Sequence, residues 1–328
     1  MKKEFAGIDV SKSTLDVWLY HANQHKIFKN DLAGIASMYK WVLQRSAGNQ
    51  VGFCFEHTGL YSVELAGYLQ QKQSCFYMVS GLAVKRSMGL RRGKSDKTDA
   101  KALAKYAFQH KEELRVTVLP CQTLAEVKDL LSLRLRMVRE LAGYKSYVKE
   151  YTSVHRLNQE ELRYQAVTAL STVLKQNIKD LEKQILQLIK ASAELNKVYE
   201  HITTIKGVGF VVAVNMIVIT HNFQAFETWR KLACYAGTVP FEHQSGTSYR
   251  GKTRVSHLSN KYLKSILTQA AASAIQFNAE MKAYYQKRLQ DGKSKMSALN
   301  IVRNKLISRM FAIAKRGTPY VDTYKFAT

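Results

Sequence analysis

A chain of 328 residues with 46% hydrophobic and 23% charged residues is long enough for about two domains with ordinary buried cores, which excludes a disordered polymer. Lys and Arg number 50 against 25 Asp and Glu, a formal charge of +25 spread along most of the chain, and this points to a polyanionic partner, nucleic acid ahead of anionic lipid. The longest nearly apolar run, Gly209 to Thr220, is shorter than the roughly 20 residues of a spanning helix, and Met1 to Val10 has no signal-peptide core. The expectation is an intracellular protein with no membrane partner. Cys54, Cys75, Cys121 and Cys234 lie far apart with no C-x-x-C pair, so free thiols are expected rather than a zinc site or disulfides.

From residue 4 to about 110, short strand-like runs alternate with helical ones. EFAGIDV, TLDVWLY and HKIFKN read as three successive strands. LAGIASMYKWVLQRS has helical spacing and is followed by the strand VGFCFEH, the helix YSVELAGYLQQK, the strand CFYMVS and a helix from about Asp96 to His110. The order β-β-β-α-β-α-β-α predicts an α/β first domain, residues 1–115, of ribonuclease H topology, although other mixed α/β folds share the string.

Beyond Pro120 the character changes. Between Cys121 and His201 the chain has almost no Gly or Pro and is rich in Leu, Lys, Glu and Gln, which predicts a long helical segment over 121–200. Leu174, Ile178, Leu181, Ile185 and Leu188 alternate at steps of four and three, the a/d spacing of a coiled coil, and this seam serves either a partner chain or the same subunit. Residues 201–328 read as a mainly helical last domain whose irregular centre is the Gly-punctuated stretch from Ala236 to Gly251.

The acids carry the chemistry. Asp96 and Asp99, at i and i+3 on the last helix of the first domain, lie in one of the most basic parts of the chain. Asp9 in the first strand and Glu56 at the end of the fourth stand where strand ends deliver site residues. Carboxylates gathered in a basic protein are accounted for by divalent metal: oxygen ligands suit Mg²⁺, and two ions clamp the attacking and leaving oxygens of a phosphodiester. Arg91, Arg92, Lys94 and Lys97 would then hold the phosphate backbone. Taken singly, each acid has a bland explanation as a helix cap, a first-turn residue or a strand end. In the last domain Ser245 and Ser248 flank Gly246 ahead of Arg250, Lys252 and Arg254, an arrangement open to turn chemistry and to a phosphoryl-transfer nucleophile alike. Upstream, Lys206, Gly207 and Gly209 form a G-x-G turn between helical segments, similar to a helix-hairpin-helix, which serves phosphate contact or close helix packing.

GIDVSKSTLDV, EHTGLY and GKSDKTDAKALA closely resemble the N-terminal motifs of the DEDD-type transposases of the insertion-sequence 110 family and of related DNA invertases, and the resemblance spans nearly the whole chain. It implies a RuvC-like first domain in which Asp9, Glu56, Asp96 and Asp99 bind metal, Mg²⁺ or Mn²⁺, as two ions. The S-G-T-S-Y-R-G stretch resembles the family's second motif and implies that Ser245 is the catalytic serine, forming a covalent phosphoserine during recombination. It further implies donor and target DNA as partners, a structured noncoding RNA from the element end that guides the protein, a homodimer or homotetramer, and a bacterial cytoplasmic location on the nucleoid. One departure is visible: where relatives read R-x-S-K-x-G-N, Arg254 to Asn260 reads R-V-S-H-L-S-N, so that His257 is expected to be a structural residue at a helix start.

Overall fold

A five-stranded sheet, covered on both faces at its centre and exposed along β3, organises the first of two units, residues 1–119; the second spans 120–328. The computed structural model describes residues 3–46, 48, 50–89, 95–155, 160–245 and 249–321, with the backbone alone at His155, His243, Ser245, Tyr249, Arg250 and Lys252. In the first unit β1 (Glu4–Val10), β2 (Thr14–Leu19) and β3 (Gln24–Lys29) form an antiparallel meander. The chain then crosses through α1 (Leu32–Arg45) to β4 (Val51–Glu56), which lies parallel to β1, and through a 3₁₀ turn and α2 (Val63–Gln71) to β5 (Cys75–Val79), parallel to β4. The sheet order is β3-β2-β1-β4-β5.

On one face Ile8, Leu15, Val17, Phe53, Phe55 and Phe76 pack against Ile35, Met38 and Val42 of α1 and Leu65 and Leu69 of α2. Each fully buried aromatic or aliphatic side chain contributes on the order of 1.5–3 kcal/mol. The other face carries Phe5, Cys54, Tyr77 and Val79 beneath α3 (Gly81–Ser87) and α4 (Asp96–Gln109), which contribute Val84, Ala102, Leu103 and Ala107. Strands between two helical layers read as near-continuous apolar runs, and β1 and β4 do so until their last residues. The elements expected up to residue 110 are all present; α3, too short for a clear periodicity, is an addition.

The second unit opens with α5 (Gln122–His155) and α6 (Leu162–Ala191), which pack along each other; Arg134 donates to Glu182 across them at 2.7 Å. Of the a/d seam, Ile178 and Ile185 are buried and Leu174, Leu181 and Leu188 half-buried, within this one chain. Next come α7 (Ala193–Thr203), α8 (Phe210–Ile219) and α9 (Trp229–Tyr235), then the strands β6 (Pro240–Ser245) and β7 (Tyr249–Val255), then α10 (Lys261–Phe277), α11 (Ala279–Gln290) and α12 (Lys295–Arg316). Helix α8 is the apolar run noted above. It is buried on nearly every side, as a helix apolar all round must be, and among the described residues no helix is long and apolar enough to cross a membrane. One core joins Leu124, Val127 and Leu131 of α5 and Ile185 and Ile189 of α6 to α7, α8, α10 and α12.

The expected irregular centre is instead an antiparallel hairpin with a bulge between Phe241 and His243. Its glycines suggest a loop, but Tyr249, Thr253 and Val255 are strand formers and supply the second strand.

Candidate active site

Glycine and alanine at one crossing bring the acids together. Gly7, Asp9 and Phe5 share a face of β1, and α4 lies so close over Gly7 that a methyl group built there would overlap the Ala100 carbonyl oxygen and the Ala104 nitrogen and come 2.9 Å from the Ala104 Cα. Ala100, Leu103, Ala104 and Ala107 form the buried stripe of α4. Its first turn therefore projects over the end of β1, with Asp96 exposed and Asp99 half-buried. Ser95 caps the helix: its Oγ accepts from the Thr98 N–H at 3.3 Å, while Thr98 Oγ1 accepts from the Ser95 N–H at 3.1 Å. Asp96, free of the capping role that sequence alone leaves open to it, faces outward instead.

Glu56 ends β4 on the same sheet face as Cys54, and its carboxylate occupies the space beside Gly81, the first residue of α3; a methyl group on Gly81 would overlap it. Asp16 stands opposite Asp9 in the β1–β2 ladder, so that the two share a face. It is 5% exposed, and its Oδ1 is 2.8 Å from His25 Nε2. Burial first, then the charges of Asp96, Asp99, Glu56 and Asp16, push Asp9 from its ordinary 3.8 up to about 6. Behind Glu56, burial and that carboxylate push the Cys54 thiol up to about 12, which leaves it inert.

The donor set fits a hard divalent cation. It is all carboxylate oxygen, it comes from two strand ends and a helix start, and its mutual repulsion is what a positive ion relieves. Among the described residues no three Asp, Glu, His or Cys side chains are gathered tightly enough to enclose an ion as they stand, so the acids are neighbours rather than a finished ligand shell.

Cations flank them. Lys97 and Lys101 lie over the ring of Trp18 at 5.9 and 4.7 Å, and neither forms an ion pair with the acids. Arg91, Arg92 and Lys94 lie outside the described residues.

The serine motif lies in the second unit. Ser245 is the last residue of β6, paired in register with Tyr249, and Arg250 pairs with Gln244; Gly246 to Ser248 lie outside the described residues. The backbone of Lys252 lies within β7, and Arg254 is exposed opposite Phe241. The hairpin is tied down at both ends. Before it, the Thr238 carbonyl accepts from Asn300 and Asn304 side chains at 2.6 and 2.9 Å. After it, Asn260 N–H donates to the Tyr235 carbonyl at 2.8 Å. His257 is exposed in the turn before α10, whose cap is Asn260. Of the G-x-G turn, Lys206 is exposed and Gly209 is the exposed cap of α8. Gly207, at φ +97°, presses on Ala270 and Ala274 of α10.

Two family models match this chain: a DEDD-type transposase model of the IS110 group over residues 6–151, and the transposase IS116/IS110/IS902 family over residues 199–286. The chain belongs to the IS110 family of transposases. It is thus a DNA recombinase, with DNA as substrate, and its DEDD domain carries dependence on a divalent metal. This transposase is 27% identical to the pilin gene-inverting proteins of Moraxella lacunata and Moraxella bovis, over 98% of its own length and 98% of theirs. It is 30% identical to an insertion element IS110 protein of Streptomyces coelicolor over 45% of this chain and 36% of that one.

The four acids singled out in the sequence lie near one another, and the groups that seat them, Gly7, Gly81, Asp16 with His25, and Trp18 beneath the lysines, were not legible there. The one available signal was a Gly two residues before Asp9, on the same strand face.

Proposed function

We propose that this transposase cuts and rejoins DNA at specific sites by attack of Ser245 on a phosphodiester, with Asp9, Glu56, Asp96 and Asp99 as the metal-binding set, Mg²⁺ or Mn²⁺ as two ions. The observation that carries the reading is the convergence of Asp96 and Asp99 of α4 on Asp9 and Glu56 of the sheet, where burial first and then the neighbouring charges raise Asp9 to a pKa of about 6. The sheet order, with three antiparallel strands leading into two parallel ones, supports the RuvC-like, ribonuclease H-like assignment of residues 1–115. We divide the remainder into a long helical segment, 121–200, whose seam offers a coiled-coil contact, and a transposase domain, 201–328.

When bound, divalent metal would supply charge neutralisation at the reacting phosphate, including the negative charge that builds on the departing oxygen. The chain's own groups do the rest. Ser245 Oγ forms a bond to phosphorus as the bridging P–O bond of the strand breaks; the departing oxygen takes up the proton that the serine gives up and leaves as a hydroxyl. A hydroxyl of the joining strand then attacks the phosphoserine, and the serine hydroxyl is restored. The number of phosphodiesters is conserved, so joining needs no external energy source. Arg91, Arg92, Lys94, Lys97, Arg250, Lys252 and Arg254 hold backbone phosphates, and Lys206 with the amides near Gly207 and Gly209 adds a further contact.

In this reading an element-encoded noncoding RNA pairs with donor and target DNA and so chooses the sequence. The protein works as a homodimer or homotetramer in the bacterial cytoplasm, on the nucleoid when bound. Full-length similarity to pilin gene-inverting proteins supports inversion as an outcome beside transposition. A strand-exchange assay with labelled donor and target tests the reading: joined product requires Ser245 and Asp99. Free cleaved ends persisting in Ser245→Ala would make the protein a hydrolytic nuclease.

A further inference from the structure

The second unit buries a positive charge with no negative one beside it among the described residues. Arg303 on α12 is 3% exposed, its Nη1 donates to Asn300 Oδ1 at 3.1 Å, and its Nε is sealed from solvent without an acceptor. No carboxylate among the described residues pairs with it. Half-buried Lys264 on α10 stands near enough for the two cations to repel each other, and it has no acid partner among the described residues either. Burial, then the charge of Arg303, holds the Lys264 ammonium below the usual lysine range, and burial lowers Arg303 as well. Charged groups are almost never fully buried unless paired, because the lost hydration is several kcal/mol per ion.

The surroundings supply donors rather than counter-charges. Gly237, at φ +67°, lies against Ser259, whose hydroxyl a methyl on Gly237 would overlap, with the Lys264 side chain next beyond it. Adjacent Thr238 is held by Asn300 and Asn304 of α12, the same turn that carries Arg303. The cluster therefore sits at the foot of β6, the strand that ends in Ser245. At about 3.3 Å per residue the six residues of β6 span on the order of 17 Å, the length of about five nucleotide steps at 3.4 Å each.

We propose that Arg303 and Lys264, with Ser259, bind a backbone phosphate of the DNA strand that runs to Ser245, several nucleotides from the bond that is cut. The proposal rests on the reading of this unit as the one that handles DNA through Ser245. A phosphate there supplies the missing negative charge, and Lys264, on the exposed side, is the first group it meets. The contact positions the strand and takes no part in bond breaking.

The test uses the full-length protein in EDTA, so that neither readout depends on strand cleavage or on the serine and metal chemistry. Inorganic phosphate at constant ionic strength is expected to raise the melting temperature of the wild type, and Arg303→Met and Lys264→Met are expected to lose that rise. Affinity for a duplex DNA is measured from 50 to 200 mM salt. Each variant is expected to show a slope of log K against log salt shallower by about 0.9, which over this range is a difference of about 3.5-fold in the salt-induced loss. Should Arg303→Met fail to fold, Lys264→Met at the rim carries both measurements. Wild-type slopes together with an undiminished phosphate response would make Arg303 a packing residue and overturn the proposal. A changed slope on single-stranded RNA with none on DNA would overturn the assignment to the DNA strand.

Discussion

Replacing Gly7 with alanine should separate the acids without touching any of them. The added methyl would overlap backbone atoms of Ala100 and Ala104, and backbone cannot rotate aside, so α4 must retreat by about 1 Å to reach ordinary contact. Overpacking of that kind costs about 1–3 kcal/mol. The larger effect is on the site: Asp96 and Asp99 move away from Asp9 by a similar amount, and a displacement of about 1 Å at reacting groups costs on the order of 100-fold in rate. Urea denaturation and metal-dependent DNA strand cleavage measure the two effects. Gly52→Ala is the control, because its methyl would meet only side-chain atoms, Tyr77 Cε2 at 3.0 Å, Lys3 Cε at 3.2 Å and Phe5 Cδ1 at 3.2 Å, a milder approach than the backbone overlap at Gly7. If Gly7→Ala retained wild-type stability and cleavage, the close crossing of α4 over β1 would not be what assembles the acids.

Gly81→Ala should show the opposite balance. Its methyl would displace only the mobile end of Glu56, so cleavage should fall by about tenfold or more while the denaturation midpoint changes little; parallel losses of both would contradict this. Asp9→Asn should stabilise the metal-free protein in a pH-dependent way. Below about pH 4 native and unfolded chains both hold the Asp9 proton; between 3.8 and about 6 the unfolded chain releases it first, so stability falls as pH rises, and above about 6 the whole penalty is present. The shift sets a ceiling of about 3 kcal/mol, which solvent screening of this half-buried group reduces to about 1–2 kcal/mol at pH 8. A gain in EDTA that did not change between pH 4 and pH 8 would show that neither burial nor the neighbouring acids hold the Asp9 pKa up. Mg²⁺ or Mn²⁺ should raise the melting temperature of the wild type and restore cleavage lost in EDTA, and should do neither in Asp9→Asn; equal responses in the two proteins would place the metal elsewhere.

The first domain was legible because its signals are local. Short, near-continuous apolar runs marked β1, β4 and β5, and Asp9 and Glu56 stood out as charged residues near the ends of apolar strands. The positions that seat those acids depend on contacts across the chain. Gly7 meets Ala100 and Ala104, and Gly81 makes room for Glu56; no spacing in the sequence encodes either meeting. Ser95 and Asp96 are both good caps, and only backbone geometry assigns the role to Ser95. In the second unit, the glycines near Ser245 suggest a loop where β6 and β7 pair as antiparallel strands, with Gly251 inside β7. The a/d seam of α6 was visible, but periodicity does not name the helix that covers it; α5 of the same chain lies against it.

The most direct test of the account is to map the protein–DNA bond itself. The protein is incubated with Mg²⁺, RNA transcribed from the element's flanks and labelled donor DNA, then denatured, digested and sequenced by mass spectrometry. A nucleotide adduct is expected on the peptide containing Ser245, absent from Ser245→Ala and from Asp99→Ala. Cleaved DNA with no adduct, or an adduct on another residue, would contradict this reading.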